Sequence, residues 1–437
     1  MPHHDVKGKK LLILAGAAVH TKVVKAAREM GVYTIVTDYL QPEQSPAKQI
    51  ADESLMYNIY DVDALVEYVR THQVDGVLGF CIDPTQRPAQ QIAEKAGLPA
   101  FGTREQVLAL TDKTVFKKLC TETGVDIILS YDERDIAAGN IRYPVLVKPV
   151  DSRGSRGATE CFNEEELLAA MPRARKESTN GGCIIEKYMT PDVNQDLTIS
   201  YLVKNGEPVL VSLGDRHSGR REDNLDRQLV CTIQPSRFVK EYLAVADERI
   251  KGLIRHLGIK NGPVFFQGYW DGETVRLYDP GLRYPGNEYE QILAKATGVN
   301  LMKDVIPYCL GGEIEGFEEA QGCYDLNGKV CMQYMINVGP GTIGTYDGLD
   351  IIARHPNVVD VTQKHFIGDV IHSTGDVRHR AGEISVLCPR TYADMKEMID
   401  FIQSHLVIKD TEGRNQIISP FDTAILDRWY HPKNPLL

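Results

Sequence analysis

The chain has 437 residues, 43% of them hydrophobic and 25% charged, and its formal net charge at neutral pH is −11. This length exceeds one ordinary core, so the sequence predicts roughly two to four soluble globular domains. It has no block of Lys and Arg of the kind that binds a phosphate backbone, and no apolar run near the roughly 20 residues of a membrane span. We therefore expect neither a nucleic-acid nor a membrane partner.

The first part of the chain alternates short apolar segments with amphipathic ones. In order these are "LLILAG", a helix from Thr21, "YTIVTD", a helix around 61–71, "DGVLGF" and a helix from Pro88 to Ala96. The alternation predicts a parallel, doubly wound sheet. "KGKKLLILAGAAV" imitates a secretory signal, but the helical spacing of the apolar residues after it favours a buried first strand.

A dinucleotide site is not expected in this first region. Its first turn reads Ala15-Gly16-Ala17-Ala18 and lacks the GxGxxG pattern, and Asp38, at the end of the second strand, is better placed to cap the next turn. "GPGTIG", residues 339–344, has the right letters but lies late in the chain, contains proline and has no βαβ unit around it. The nine cysteines are scattered and form no CxxC pair, which predicts a reducing cytoplasm and no zinc site.

From Thr111 the pattern becomes α+β. A helix from Thr111 to a stop at Gly124 precedes "YPVLVKPV", "ATECF", a helix over 163–171, "CIIEKYM", antiparallel strands, a helix over 238–257 and a hairpin centred on Asp271-Gly272. A junction near 311–328 introduces a third segment. We therefore predict an N-terminal doubly wound domain (1–110), a central α+β module (111–310) and a small C-terminal α+β domain (325–437).

"VLVKPVDSRGSRGATE", residues 145–160, carries the first chemical signal. Its glycines allow backbone N–H groups to converge on an oxyanion. Arg153 and Arg156 can add positive charge, and Lys148, at the end of its strand, can reach the same phosphates as a point charge. The alternative is a plain hairpin tip with surface arginines.

"FFQGYWDGETVRLYDPGLR", residues 265–283, carries the second chemical signal. Gln267 and Asp279 should lie on neighbouring antiparallel strands and face one cleft, where their oxygens suit Mg²⁺ bound jointly with phosphate. Arg283 could hold a transferring phosphoryl group or a developing oxyanion. A solvated hairpin face is the alternative. In the charged loop 214–227, Arg216 and His217 are candidates for gripping a substrate carboxylate, against the alternative of a solvated surface loop.

Taken in chain order, these motifs resemble the ATP-grasp superfamily over roughly residues 10–310, and the C-terminal region resembles that of L-amino-acid-ligase-type members. The resemblance implies an ATP-grasp module at 111–310, with a flap at 151–157 and an adenine hinge near 186–190. It assigns ATP binding to Lys113, Lys148, Asp151, Ser152, Arg153, Gly154, Ser155, Gly157, Glu186, Lys187, Tyr188, Met189 and Asp192. It assigns metal binding to Gln267 and Asp279, and catalytic roles to Arg283 and Lys148.

The chain departs from this family in its catalytic strand pair. The usual pattern is Glu followed by Glu-x-Asn-x-Arg, whereas here Gln267 is followed by Asp279-Pro280-Gly281-Leu282-Arg283. We therefore expect Mg²⁺ or Mn²⁺ to be held more weakly.

The resemblance, to L-amino-acid-ligase and carbamoyl-phosphate-synthase-like members, implies an ATP-dependent carboxylate–amine ligase. Such an enzyme acts on a small carboxylic acid and an amine, forms an acyl phosphate and releases ADP. A homodimer is the default assembly. The alternatives are a bicarbonate-dependent carboxylase and an ATP-binding protein without turnover.

Overall fold

The chain begins with an open parallel sheet. The computed structural model describes residues 5–151, 157–190, 195–219, 228–286, 289–372, 379–389, 391–418 and 420–430. The sheet has the order β3-β2-β1-β4 and consists of β1 (Lys10–Leu14), β2 (Tyr33–Thr37), β3 (Glu53–Leu55) and β4 (Gly76–Gly79). The chain runs outward from β1 to β3 and then returns to the other side of β1 for β4, so its direction of winding reverses between β1 and β4.

Helices cover both faces of this sheet. They are α1 (His20–Glu29), α2 (Val62–Thr71) and α3 (Asp83–Ala96), followed by α4 (Arg104–Ala109). Alternate residues of a strand point to opposite faces, so Leu11 and Ile13 pack with α1, whereas Leu12 and Leu14 pack with α2 and α3. The predicted doubly wound sheet is confirmed. Helix α3 begins at Asp83, ahead of the predicted Pro88, because Pro84 lies in the first turn, where its missing N–H is not needed.

A small antiparallel sheet, β5-β8-β6-β7, follows. Its elements and the helices around it are α5 (Lys113–Thr123), β5 (Ser130–Tyr131), α6 (Glu133–Ala137), β6 (Val145–Pro149), β7 (Thr159–Cys161), α7 (Glu164–Glu177) and β8 (Cys183–Lys187). Helix α5 is capped by Asp112 and not by Thr111, since Asp112 Oδ1 accepts hydrogen bonds from the N–H groups of Thr114 and Val115. Gly124 ends the helix with φ +71°, as the sequence predicts.

The largest sheet is antiparallel and has eight strands in the order β13-β12-β9-β10-β11-β14-β18-β16. Its first half and associated helices are β9 (Gln195–Lys204), β10 (Glu207–Gly219), β11 (Gln228–Gln234), α8 (Val239–Val245), α9 (Asp247–Leu257), β12 (Gly262–Trp270), β13 (Val275–Gly281), α10 (Tyr289–Thr297) and α11 (Leu301–Cys309). The helix predicted over 238–257 is divided at Ala246.

Part of the C-terminal segment continues this sheet, and three of its strands form a separate small sheet. It contains β14 (Val330–Asn337), β15 (Gly341–Asp347), α12 (Leu349–Ala353), β16 (Val358–Gln363), β17 (Val370–Ile371), β18 (Arg380–Cys388), α13 (Tyr392–His405), β19 (Val407–Asp410) and α14 (Ala424–Trp429). Strand β14 pairs with β11, with Tyr334 opposite Cys231. The sheet therefore runs across the junction at 311–328, and β14 covers an edge of β11 that would otherwise be open.

Candidate active site

The candidate site lies where the small antiparallel sheet meets the β9–β12–β13 side of the large one. Lys148, at the end of β6, places its Nζ 5.4 Å from the ring centroid of Tyr278 on β13. An isolated bridge between Ile127 and Leu277 also joins the two halves. The cleft between them therefore brings the end of β6 to the hairpin that carries Gln267 and Asp279.

Two lysines converge on one buried carboxylate in this cleft. Glu186, on β8, receives Lys148 Nζ on Oε2 at 2.6 Å and Lys117 Nζ on Oε1. Burial raises the pKa of Glu186, but Lys148 and Lys117 together hold it below its usual value, so the carboxylate is ionised. Burial lowers the pKa of Lys148, with Lys113 and Lys117 acting in the same direction and Glu186 opposing them. The cluster thus has more positive than negative charge, which suits phosphate oxygens.

Lys117 was not among the residues selected from sequence. It lies four residues after Lys113 on α5, and residues at this spacing share one face of a helix. The spacing was therefore visible, but the partner, Glu186, lies on a distant strand and only the fold brings it to Lys117. The Glu186 side chain is consequently directed into the lysine cluster.

The hinge after β8 offers few free backbone donors. The N–H of Lys187 donates to Leu129 O at 2.9 Å, and the N–H of Tyr188 donates to Pro144 O at 3.0 Å. These two groups are therefore not available to a nucleotide base. Met189 has a buried side chain.

The hairpin β12–β13 aligns the two expected metal ligands. Gln267 pairs directly with Asp279, and the register then shifts so that Gly268 faces Leu277. Tyr278 is therefore the extra residue of a β-bulge, a feature that re-aims side chains beside active sites. Lys113 Nζ lies 3.2 Å from Asp279 Oδ1. Burial lowers the pKa of Lys113, but Asp279, with smaller contributions from Asp83 and Glu186, raises it above its usual value.

The glycine that replaces the family's asparagine has a steric explanation. A Cβ on Gly281 would lie 2.3 Å from Cε1 of the Phe265 ring. The same ring is covered by the Arg283 guanidinium, whose Cζ lies 4.3 Å from the ring centroid. Phe265 therefore fills the space that a side chain at position 281 would need.

Arg283 is held by the N-terminal sheet. Its Nε and Nη2 both donate to Asp83 Oδ1, at 2.8 and 2.5 Å. Its Nη1 donates to the carbonyls of Cys81 at 3.2 Å and Tyr284 at 2.8 Å. Cys81 has φ +60°, an unusual conformation for a residue other than glycine. The expected catalytic arginine is thus anchored across the boundary between the first sheet and the central module.

The two candidates after residue 214 lie in strand β10 and not in the predicted loop, and they point in opposite directions. Arg216 Nη1 donates to Tyr278 OH at 2.9 Å and lies 3.4 Å from Asp196 Oδ2. His217 Nε2 lies 3.1 Å from Tyr430 OH, and burial lowers its pKa to about 3, which leaves it neutral. Adjacent residues of a strand face opposite sides, so the two cannot grip one carboxylate. Arg216 faces the cleft, whereas His217 packs against the C-terminal segment.

The flap residues are only partly described. Ser152, Arg153, Gly154, Ser155 and Asp192 lie outside the described residues. Asp151 accepts hydrogen bonds from Ser178 Oγ at 2.7 Å and from the N–H of Thr179, so its carboxylate is directed to the loop after α7. Gly157 adopts φ +72°, a conformation that favours glycine.

Asp38 and the later glycine motif have structural roles. Asp38 Oδ1 accepts the N–H of Leu40 at 2.8 Å and lies 2.9 Å from Lys48 Nζ, so this acid fixes a turn. "GPGTIG" leads into strand β15 and not into a helix N-terminus.

The described ranges contain no group of three or more His, Cys, Asp or Glu side chains that could hold a metal. All nine cysteines are free, and no described helix is long and apolar enough to cross a membrane.

Comparisons with known proteins find similarity in the central module and in the fold. Residues 112–261 match the family model described as the carbamoyl-phosphate synthase L chain ATP-binding domain. The formate-dependent phosphoribosylglycinamide formyltransferase of Wolinella succinogenes is 23% identical over 301 residues, which cover 62% of this chain and 71% of that protein. Another relative of that name is matched over 49% of its length.

Two solved structures share nearly the whole fold. The L-amino acid ligase from Bacillus licheniformis has a TM-score of 0.78 and 19% identity, covering 93% of this chain and 99% of that one. The biotin carboxylase domain of the Hydrogenobacter thermophilus 2-oxoglutarate carboxylase, in complex with MgADP and bicarbonate, has a TM-score of 0.73 and 19% identity, covering 97% and 98%. The chain therefore shares its fold with these two structures, and its residues 112–261 are similar to the ATP-binding domain of the carbamoyl-phosphate synthase L chain.

Proposed function

We propose that this protein is an ATP-dependent carboxylate–amine ligase that forms an acyl phosphate and releases ADP and phosphate. The observation that carries the proposal is the convergence of Lys113 and Lys148 on one cleft. The first reaches Asp279 and the second reaches Glu186. A pair of buried lysines beside the strand pair that carries Gln267 and Asp279 is an arrangement that binds phosphates and stabilises charge during phosphoryl transfer.

In this proposal the triphosphate lies between the two halves of the central module. Lys148 and Lys113 bind its oxygens, Lys117 and Glu186 fix the position of Lys148, and Met189 packs near the base. The flap that the resemblance implies, residues 151–157, lies mostly outside the described residues. No side chain acts as a nucleophile, so the residues contribute by positioning and by charge.

Gln267 and Asp279 suit a weakly held divalent cation. One amide oxygen and one carboxylate are too few for a protein-only site, and Mg²⁺ characteristically binds through one or two carboxylates together with phosphates. These two residues would hold Mg²⁺ or Mn²⁺ that arrives with ATP, and the ion supplies charge neutralisation to the phosphate oxygens. Lys113, bound to Asp279 at 3.2 Å, must shift toward the phosphates for Asp279 to serve as a ligand.

The chemistry then proceeds in two steps. A substrate carboxylate oxygen attacks the γ-phosphorus, its bond to ADP breaks, and an acyl phosphate forms. The amine nitrogen next attacks the acyl carbon, phosphate leaves, and the amine loses a proton. Arg216 and Arg283 lie on either side of the strand pair and are our candidates for holding the acyl phosphate oxygens.

A phosphate-release screen tests the proposal. Purified protein with ATP and Mg²⁺ is offered formate, bicarbonate and the standard L-amino acids as acids, each with a set of primary amines, and products are identified by mass spectrometry. Release of ADP that depends on both an acid and an amine supports ligation. Release that depends on bicarbonate supports a carboxylase, AMP as the product contradicts the acyl phosphate route, and no release across the panel leaves an ATP-binding protein.

A homodimer is the assembly we propose for the solution state. The Hydrogenobacter carboxylase domain is described as a dimer. Light scattering on the purified protein tests this, and a monomer mass across the concentration range would contradict it.

A further inference from the structure

The ion pair between Asp83 and Arg283 has an unusual geometry. An arginine commonly meets a carboxylate with two parallel hydrogen bonds, one to each oxygen. Here Arg283 Nε and Nη2 both donate to Oδ1 of Asp83, and Gln86 Nε2 donates to the same oxygen at 3.2 Å. Among the described residues, every hydrogen bond of the Asp83 side chain ends on Oδ1. The carboxylate is therefore fixed through one oxygen, and its Oδ2 remains for another partner.

The free oxygen lies at a place where open parallel sheets bind ligands. Asp83 follows β4, and the winding direction reverses between β1 and β4, so the crevice at the carboxyl ends of these strands is the topological switch point. The Asp83 side chain is 37% exposed, whereas that of Arg283 is 7% exposed. Asp83 also holds Arg283, which follows β13, the strand that carries Asp279, so it borders the phosphate cleft.

Resting on the proposed function, we propose that Asp83 Oδ2 binds the ammonium group of the incoming amine substrate. Oδ1 holds Arg283, and Oδ2 holds the second substrate, so one carboxylate places the nucleophile next to the arginine assigned to the acyl phosphate. In this proposal the amine binds at the N-terminal sheet, and ATP binds at the central module.

The charge and the number of ligands favour an ammonium over other occupants. A single accessible carboxylate oxygen repels a carboxylate or phosphate substrate. A divalent cation needs several oxygen ligands, and the described residues offer no group of three acidic, His or Cys side chains. A protonated amine has three donors, so one carboxylate oxygen with water and neutral acceptors suffices. The acid and the ATP phosphates are left to the cationic side of the cleft.

The experiment separates amine binding from the first chemical step. Wild type, Asp83→Asn, Asp83→Glu and the control Asp63→Asn are compared, since Asp63 lies in the same region with a side chain 91% exposed and paired to Lys95. Acyl phosphate formation is measured with hydroxylamine, which is uncharged at neutral pH and traps the intermediate as a hydroxamate. Ligation is measured with the acid and primary amine that the phosphate-release screen identifies.

For Asp83→Asn we expect the amine KM to rise about tenfold or more, the size of one lost charge-assisted hydrogen bond. The KM for ATP should stay within about twofold of wild type, and the hydroxamate rate should fall by less than the ligation kcat/KM for the amine, because the Asn amide oxygen can still accept a hydrogen bond from Arg283. Asp83→Glu should recover part of the amine affinity, and Asp63→Asn should match wild type. An unchanged amine KM in Asp83→Asn, or an equal loss of hydroxamate formation, overturns the proposal, since the second result means that Asp83 only positions Arg283. If wild type itself forms neither hydroxamate nor ligated product with any acid, the proposed function fails and this inference fails with it.

Discussion

Lys117 and Lys148 each bind a different oxygen of the Glu186 carboxylate, although they come from α5 and β6. Glu186 therefore cancels one of two buried positive charges and leaves the other for an anion. Lys117 also donates to Ile128 O at 3.2 Å and to Ser130 Oγ, so it is fixed independently of Lys148. Glu186 is thus paired with Lys117 as well as with Lys148, and Lys148 remains able to turn toward a phosphate.

Replacing Lys117 by Met should weaken ATP binding. Without Lys117, Glu186 pairs with Lys148 alone, so we expect the Kd for ATP to rise about tenfold. The free energy of unfolding should fall by about 1–3 kcal/mol. Calorimetric titration and urea unfolding measure the two effects. Lys118→Met is the matched control, because Lys118 lies on the same helix with a side chain 79% exposed.

The double variant Lys117→Met with Glu186→Gln tests the reason for this effect. Removing the carboxylate charge should release Lys148, so ATP affinity in the double variant should exceed that of Lys117→Met alone. If the losses of ATP affinity caused by the two substitutions simply add, Lys117 acts on folding and not through Glu186.

Lys148→Met should reduce turnover by about 10²–10³, the magnitude typical of one lost electrostatic contact in a transition state. Lys187, in the hinge after β8, provides the comparison. The side chain of Lys187 is exposed and its backbone N–H is used within the fold, so Lys187→Met should stay within about twofold of wild type. Steady-state ADP release gives both values. Equal losses in the two variants would contradict the assignment of Lys148 to the phosphates.

The order of the motifs could be read from the sequence, because each depends on local signals. Glycine at position 124, the alternation of Gln267 and Asp279 across a tight turn and the apolar run before Lys148 all reflect spacing along the chain. Asp83, Lys117 and Asp196 were missed. Each acquires its role from a partner that is distant in sequence, and a single sequence contains no record of such a partner.

Positions 216, 217 and 281 show where the spacing of residues along the sequence misleads. Arg216 and His217 were grouped because they are adjacent in a charged segment, but the pleat of β10 sends them to different faces. Gly281 reads as a lost ligand in the sequence, whereas the structure shows Phe265 occupying the space beside it. Burial and packing decide both positions, and neither follows from residue type.

Gln267→Glu should restore the second carboxylate at the proposed metal site. An additional negative charge beside a divalent cation strengthens its binding. We expect the Mg²⁺ concentration for half-maximal ADP release to fall about tenfold. The Mg²⁺ titration is done at saturating ATP. Gln91→Glu, in α3, is the control variant; Gln333→Glu is unsuitable because Gln333 is buried in β14. An unchanged Mg²⁺ requirement would mean that position 267 does not contact the metal.

Asp196 predicts a dependence of stability on pH. Burial raises its pKa to about 6, against the opposing effect of Arg216. In the unfolded chain an aspartate titrates near 3.9, so between about pH 4 and 6 the folded state binds more protons than the unfolded state. The free energy of unfolding should therefore fall as pH rises through this window, by up to about 3 kcal/mol from this group.

Chemical unfolding of wild type and Asp196→Asn at several pH values checks this prediction. The difference between the two proteins should change between about pH 4 and 6 and stay level above it. Parallel stability curves across the whole range would show that Asp196 titrates at an ordinary pKa.

The central claim is that the γ-phosphoryl group of ATP passes to a substrate carboxylate in the cleft between Lys148 and Asp279. It is tested most directly with an acid whose carboxylate carries a heavy oxygen isotope, chosen from the phosphate-release screen. Mass spectrometry of the released phosphate should find one labelled oxygen per turnover in wild type and the same labelling, at a much lower rate, in Lys148→Met. Labelled AMP, or phosphate that contains no label while ligation proceeds, would contradict the account.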